Sequence, residues 1–244
     1  MRNIRLDICY DGSRYRGWQR LANNENTIQA KIERTLSRIL SEPIEISGSG
    51  RTDAGTHAMG QVANFHCNSS MPSDEILEQL RMYLPEDIGI YSCKNVSPRF
   101  HARLNAKTKT YRYRVWHTTK PCVFERKFVH ISPGSYDVDA MNCAAAYFLG
   151  EHDFSAFCAN KNMKKSTIRY IEHFEIQYSE DELVFWVIGN GFLHHMVRIM
   201  VGTLLEVGRG ARDVDSIPGL FGADRAQAGE LIPACGLCLM EVTY

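Results

Sequence analysis

Residues Asn3–Tyr10 read NIRLDICY, with an apolar side chain at every second position from Ile4 onward. This alternation predicts a β-strand with one buried face. The next long pattern, Thr27–Leu40, has apolar residues at helical spacing, namely Ile28, Ile32, Leu36 and Ile39. Either Asn26 or Thr27 can cap this helix. The chain therefore begins with a strand followed by a helix.

Outward from this pair, the remaining patterns repeat one order of elements. In the first half, strands are predicted near Pro43–Ser47, Gln61–His66 and Ile88–Val96, with a helix over Pro72–Tyr83. In the second half, strands are predicted at Thr108–Trp116, Thr167–Tyr178, Leu183–Ile188 and Gly236–Thr243, with helices at Val138–Leu149 and Phe192–Val207. The stretch Gly208–Cys235 is irregular, and we expect a short helix and a long loop there.

Both halves thus follow the order β-α-β-β-α-β, which is that of a split βαβ unit. We predict an α+β protein made of two such ferredoxin-like halves in tandem, residues 1–103 and 104–244. Each half should form an antiparallel sheet with helices on one face. The open sheet faces could then flank a central catalytic cleft.

Composition places the chain among ordinary globular proteins, with 244 residues, 44% hydrophobic and 23% charged. No apolar run is long enough to span a bilayer, and the N-terminus lacks a signal-peptide core. The eight cysteines form no disulfide-rich framework, so we expect reduced thiols and a cytoplasmic protein. Cys235 and Cys238 have zinc-like spacing without a second pair, so packed residues are favoured over a metal site.

The segment Gly50–Ala58, with the sequence GRTDAGTHA, carries the most chemical information. It places Asp53 in a short loop beside Arg51, where a neighbouring cation keeps the carboxylate ionised. A lone ionised carboxylate suits nucleophilic work, although an exposed ion pair in a surface turn fits the pattern equally well. A phosphate loop is excluded because Thr56 stands where the lysine belongs, and the dinucleotide fingerprint fails at Asp53.

The formal net charge is zero, but the charges are segregated. Between residues 99 and 127 the only acid is Glu125, whereas the cations are Arg99, Arg103, Lys107, Lys109, Arg112, Arg114, Lys120, Arg126 and Lys127. A second basic run contains Lys161, Lys164, Lys165 and Arg169. Such clustering suits a phosphate backbone, although a solvated strand face is the commoner explanation for any single run. The interleaved aromatics, which could stack on bases or pack in the core, are Tyr111, Tyr113 and Trp116.

The predicted helix over Phe192–Val207 carries His194, His195 and Arg198. Adjacent histidines on a helix point about 100° apart and cannot share a metal from that side. Arg198 stands in a very apolar stretch, where a buried arginine needs a partner. Asp53 is one candidate carboxylate among several.

Six ordered motifs make the chain similar to bacterial tRNA pseudouridine synthases of the TruA type, nearly end to end. They are Tyr10–Gln19, Gly50–Ala58, Phe100–Arg103 with Lys109–Tyr113, His152–Phe157, Gly191–Arg198, and Pro233 with Gly236-Leu237. Three positions depart from the usual pattern: Thr56 replaces valine, Arg81 replaces asparagine, and Leu231-Ile232 precede Pro233 where smaller or polar residues are usual.

The resemblance implies isomerisation of uridine to pseudouridine in the anticodon stem-loop of tRNA, commonly at positions 38 to 40. It implies no cofactor and no catalytic metal, and a homodimer that shares one tRNA. Asp53 would be the nucleophile, paired with Arg198, and Tyr111 would stack on the target base. Arg51 would fill the space left by the flipped base, and Leu237 would pack against the uracil.

The basic residues Arg103, Lys107 and Lys109 are the expected contacts to tRNA. Two alternatives stay open at this point. One is a paralogue that modifies a different RNA site, and the other is an RNA-binding protein of the same fold with little catalysis.

Overall fold

The computed structural model describes residues 1–160 and 165–244. These residues cluster into two compact units, one made of Met1–Lys107 with Cys238–Tyr244 and the other of Thr108–Leu237. Both units combine helices with a largely antiparallel sheet, which confirms the α+β class.

The first unit follows the predicted order closely. Its elements are β1 (Arg2–Tyr10), α1 (Ile28–Leu40), β2 (Ser47–Gly48), β3 (His57–Cys67), α2 (Ser73–Tyr83) and β4 (Ile88–Val96). Thr27 caps α1, because its hydroxyl accepts a hydrogen bond from the Ala30 amide at 3.3 Å. The Ile4, Leu6 and Ile8 side chains of β1 are fully buried, as their alternation predicts.

In the first sheet, β1 lies between β4 and β3 and is antiparallel to both. The other edge of β3 pairs with β2 at one end. Near its start, β3 pairs in parallel with Cys238 and Leu239 of the final strand. The predicted half 104–244 includes this final strand, so the compact units differ from the predicted halves there.

The second unit contains β5 (Lys109–Trp116), β6 (His130–Ile131), α3 (Val138–Ala146), β7 (Gly150–Asp153), β8 (Ile168–Tyr178), β9 (Glu182–Gly189) and α4 (Met196–Gly208). The last strand, β10 (Leu237–Val242), begins at its C-terminal boundary. Strand β9 lies between β5 and β8, and β7 pairs with β8 at the edge. Between α4 and β10 the chain forms a seven-residue 3₁₀ helix, Val214–Leu220, in the stretch where a short helix was expected. Two short 3₁₀ turns that were not predicted follow it.

Several element boundaries differ from prediction. Strand β2 covers Ser47–Gly48 rather than Pro43–Ser47, and β3 begins at His57 rather than near Gln61. Helix α3 ends at Ala146 rather than Leu149, because the chain turns into β7, a strand that the sequence pattern did not predict. Helix α4 begins at Met196 rather than Phe192. His195 has a left-handed backbone conformation, with φ of 64°, and this conformation cannot continue a helix.

Candidate active site

Asp53 lies in the loop of residues 49–56 between β2 and β3, as predicted. The Thr56 amide donates to the Asp53 carbonyl at 3.1 Å, which closes a β-turn over Asp53–Thr56. Gly55, the third residue of this turn, has φ of 79°, a conformation that glycine adopts without steric cost. Asp53 is partly exposed and Arg51 is exposed, so the turn presents a carboxylate and a cation at the surface of the first unit.

The segment Gly17-Trp18 packs directly against the backbone of this loop. The Trp18 amide donates to the Thr52 carbonyl at 3.1 Å. Gly17 has φ of 89°, and a Cβ atom there would lie 2.7 Å from the Thr52 carbonyl oxygen. Only glycine permits so close an approach of two backbones. The Asp53 loop is therefore fixed by direct backbone packing.

Buried polar side chains fix both ends of the same loop. The Tyr10 and Thr52 hydroxyls form a hydrogen bond of 2.8 Å, and burial raises the pKa of Tyr10. Gln61 is fully buried; it accepts from the Ser49 hydroxyl at 2.6 Å and donates to the Gly50 carbonyl at 3.1 Å. The sequence analysis did not select Tyr10 or Gln61 as site residues. A glutamine within a predicted strand next to the Asp53 loop is the signal that could have indicated Gln61.

Thr56 is the last residue of the turn and is almost completely buried, at 1% exposure. Its hydroxyl has no hydrogen-bond partner among the described residues. An unsatisfied buried hydroxyl costs free energy, because it gives up its bonds to water without replacement.

We expect Thr56→Val to raise the free energy of unfolding by about 1 kcal/mol, because a methyl group replaces the unsatisfied hydroxyl. Urea denaturation of the two proteins measures this difference. Thr56→Ser is the matched control, since it keeps the hydroxyl and removes the methyl group, and it should lower stability. Destabilisation by valine would show that the hydroxyl is satisfied in solution.

Tyr111 lies on β5 of the second unit, opposite Val187 of β9. Its side chain is 7% exposed and its ring packs edge-on against Phe192, with the ring centroids 5.1 Å apart. Phe192 belongs to the loop between β9 and α4. Tyr111 is therefore a well-packed aromatic side chain whose orientation is fixed by a neighbouring ring.

Arg198 lies in the first turns of α4, and its Nε donates to the Ile232 carbonyl at 2.8 Å. The next carbonyl, that of Pro233, accepts from the Tyr113 hydroxyl at 2.7 Å. These two bonds hold the segment that leads into Leu237, which is itself 6% exposed. Arg198 and Leu237, two predicted site residues, are thus linked through one short segment of the second unit.

Gly236 explains why this segment can approach β5. A Cβ atom there would lie 2.7 Å from the Arg114 carbonyl oxygen and 2.8 Å from the Tyr113 ring. Cys235 donates its thiol to the Val129 carbonyl at 3.2 Å, and burial raises the pKa of that thiol. Both features favour a packed cysteine over a thiolate ligand, in agreement with the sequence interpretation.

The histidine pair is a correction. His194 and His195 precede α4 rather than lying on it, and their ring centroids are 3.7 Å apart. The argument that a helix separates them by 100° therefore does not apply. The expectation that the enzyme has no catalytic metal stays a prediction based on the resemblance alone.

The basic stretch divides into two groups. Arg114 forms ion pairs with Glu182 and Glu125, Arg112 lies over the Trp186 ring, and Lys120 pairs with Glu180 and Asp181. These cations serve the second unit's own structure. Exposed side chains, by contrast, are found at Arg99, Arg103 and Lys107 in the first unit, with Lys109 partly exposed at the start of β5.

The 97–105 loop that displays Arg103 is firmly held. The Asn64 side chain accepts from the Ala102 amide at 2.8 Å and donates to the Asn3 side chain at 3.0 Å, and both asparagines are buried. Asn3 in turn donates to the Phe100 carbonyl at 2.8 Å. This pair of buried amides satisfies the loop backbone and fixes the direction in which Arg103 leaves it.

Several other predicted features can now be placed. Tyr113 is fully buried and serves packing, whereas Trp116 is partly exposed and donates its indole N–H to the Lys120 carbonyl. Arg81, one of the departures from the family pattern, ties α2 to β4 through the Ile90 and Tyr91 carbonyls. Lys161 and Lys164 of the second basic run lie outside the described residues.

A family model described as tRNA pseudouridine synthase matches residues 8–105 and 144–244. The matched ranges include the Asp53 loop, the Arg103 loop, α4 and the segment through Leu237. This chain belongs to the tRNA pseudouridine synthase family. Its reaction is accordingly an isomerisation, of uridine to pseudouridine in tRNA.

Curated relatives support the assignment over the whole length. The chain is 44% identical to tRNA pseudouridine synthase A 2 of Bacillus cereus strain ZK / E33L and 46% identical to tRNA pseudouridine synthase A of Bacillus sp. strain KSM-64, with full coverage of both chains in each pair. Among solved structures, a chain of a Cbf5-Nop10-Gar1 complex covers 97% of this chain and 48% of its own length. Its TM-score of 0.39 and identity of 13% are too low to support a structural conclusion.

No helix in the described part of the chain is long and apolar enough to cross a membrane.

Proposed function

We propose that this enzyme converts uridine to pseudouridine in the anticodon stem-loop of tRNA, at positions 38, 39 and 40, with Asp53 as the nucleophile. The observation that carries the proposal is the fixed turn that presents the Asp53 carboxylate. Backbone packing and buried hydrogen bonds hold this turn at both ends. A carboxylate held in this way loses little freedom when it attacks, which lowers the entropic cost of the reaction.

The chemistry needs only bond exchange within one nucleotide. The C1′–N1 bond breaks, a C1′–C5 bond forms, and the proton on C5 is replaced by one on N1, so no atom or electron is gained or lost. The Asp53 carboxylate holds the fragments together as a covalent adduct, through either C6 or C1′. Both routes require the same ionised oxygen.

The other predicted residues receive roles that suit their side chains. Arg198 stabilises and orients the Asp53 carboxylate, because a guanidinium favours its charged form. Tyr111 stacks on the target base and takes part in removing the C5 proton. Leu237 packs against the uracil. Arg51 occupies the space that the flipped base leaves, which offsets part of the unstacking cost of a few kcal/mol.

Mapping of pseudouridine in tRNA from cells with and without the gene tests the target. Loss of the modification at positions 38 to 40, with other sites retained, supports the proposal. Retention of these three and loss of another site would favour a paralogue with a different target.

We expect the tRNA backbone to contact Arg103, Lys107 and Lys109. Their replacement by glutamine should weaken tRNA binding and reduce the slope of log affinity against log salt by roughly 2, because each lost phosphate contact removes about 0.7–0.9. Filter binding at several salt concentrations measures the slope. Arg34→Gln is the matched control, since Arg34 lies on α1 outside the basic stretch and already pairs with Glu25, and it should leave the slope unchanged.

We also propose a cytoplasmic homodimer in which one tRNA contacts both subunits, as the resemblance implies. Sedimentation at working concentration tests the subunit number, and a monomer would contradict it. For the fold, we propose two split βαβ units in tandem. The strand order β4-β1-β3-β2 and the two helices of the first unit support this description. For the second unit, an experimental structure can test it.

A further inference from the structure

The loop of residues 117–129, between β5 and β6, carries the most exposed large apolar side chain of the described residues. Phe124 is 89% exposed, and its neighbour Val123 is 56% exposed. Of the aromatic residues singled out in the sequence, Tyr111 and Tyr113 are buried and Trp116 is partly exposed. Phe124, by contrast, is presented to solvent. A single exposed apolar residue is common, so its surroundings decide its meaning.

One side of the loop is anchored through Lys120. The Lys120 carbonyl accepts from the Trp116 indole N–H at 3.0 Å, and its ammonium lies 2.7 Å from Glu180 and 3.0 Å from Asp181. These contacts tie the start of the loop to the turn between β8 and β9. The chain that approaches Phe124 is therefore held in place.

The other side is anchored through Glu125. Its carboxylate accepts from Arg114 at 2.7 Å, and the same guanidinium holds Glu182 of β9. The Phe128 amide donates to the Glu125 carbonyl at 2.7 Å, which closes a turn immediately after Phe124. A ring held between two anchored residues loses less conformational freedom on binding than a ring on a mobile loop.

Directly after Phe124 the exposed charges are cations. Arg114, which also pairs with Glu182, engages the Glu125 carboxylate, and the next two residues, Arg126 and Lys127, are exposed. The Arg126 guanidinium donates to the Val123 carbonyl, which holds it against the backbone that precedes Phe124. An exposed ring next to cations suits a nucleotide, because the base stacks while the phosphate is neutralised.

A second protein surface fits less well. Protein interfaces bury about 800 Å² on each partner, far more than two apolar side chains provide. We infer that Phe124 stacks on an unpaired base of the tRNA, and that Arg126 and Lys127 contact the adjoining phosphates. The inference rests on the proposed tRNA substrate and adds a specific RNA contact to it.

The test compares Phe124→Ala, Phe124→Leu and Phe124→Tyr in the full chain, with an unmodified tRNA transcript as the probe. Loss of the ring should weaken tRNA affinity roughly 5- to 100-fold. Leucine should behave like alanine because it cannot stack, and tyrosine should behave like the wild type. The single-turnover rate at saturating tRNA should stay unchanged. Met82→Ala removes another exposed apolar side chain, on α2, and serves as the control.

Three results would overturn the inference. They are unchanged affinity in Phe124→Ala, wild-type affinity in Phe124→Leu, and a change of sedimenting mass that accounts for the loss of binding. The last would identify an interface between copies of the chain. If the wild type leaves positions 38 to 40 unmodified but Phe124→Ala still loses tRNA affinity, the proposed target fails and the stacking contact stands.

Discussion

Asp53→Asn is expected to lower the rate of pseudouridine formation by about a thousandfold or more, as loss of a nucleophile does in other enzymes. The amide has the shape of the carboxylate but cannot attack as an anion. The turn itself should survive, because the Asp53 carbonyl rather than its side chain accepts the closing bond from Thr56. Asparagine also tolerates turn conformations well. Tritium release from C5-labelled tRNA measures the rate, and filter binding should show tRNA affinity close to that of the wild type.

Asp74→Asn is the matched control, since Asp74 is an exposed acid in the first turn of α2. It loses the same charge and should keep full activity. Mass spectrometry of Asp53→Asn must exclude deamidation back to aspartate. Appreciable turnover by verified Asp53→Asn protein would remove Asp53 as nucleophile and leave it as a residue of the surface turn.

Much of the fold follows from local pattern. The alternation in β1 and the spacing in α1 predict these elements within a residue of their observed bounds, because a half-buried strand and an amphipathic helix leave a direct trace in sequence. Strand β7 left no such trace. It is four residues long and begins just beyond Leu149, the predicted end of the helix, and so short a segment shows too little alternation to indicate a strand.

The first residue of α4 was predicted wrongly for a different reason. The run from Phe192 is apolar enough to suggest a continuous helix, but a single backbone angle at His195 stops it. Side-chain periodicity contains no information about one left-handed residue. Which basic residues form ion pairs within the protein could not be predicted either, since nothing in the local sequence distinguishes Arg114 from Arg103. Arg114 is distinguished by its ion pairs with Glu125 and with Glu182, which β9 brings close to β5.

The residues that support the Asp53 loop could not be predicted from local sequence either. The loop could be selected by its composition, whereas Tyr10 and Gln61 act through contacts made across the sheet. Gly17 was visible only as part of a motif. Its importance comes from the close approach to Thr52, which depends on the fold. The sequence thus predicted which loop carries the nucleophile, and the structure shows which contacts hold that loop.

Arg198→Met should reduce pseudouridine formation by about a hundredfold or more, the usual loss when a group that stabilises charge in a reaction is removed. Methionine keeps the length and apolar character of the stem, so α4 should still pack. Loss of the bond to the Ile232 carbonyl should lower the free energy of unfolding by about 1 kcal/mol. Arg198→Lys should also lose much activity, because an ammonium cannot reproduce the planar guanidinium.

Arg209→Met, at the residue that caps the C-terminal end of the same helix, provides the control. Arg209 follows α4 and donates to the Tyr136 hydroxyl, so its loss should cost stability and leave the rate at saturating tRNA unchanged. The decisive measurement is the double variant of Asp53→Asn and Arg198→Met. If Arg198 acts on the Asp53 carboxylate, the second substitution should add almost nothing once the anion is gone, because residues that act as a unit are not additive. Full additivity of the two losses, or wild-type activity in Arg198→Met, would show that Arg198 works independently of Asp53 and only supports the segment around Ile232.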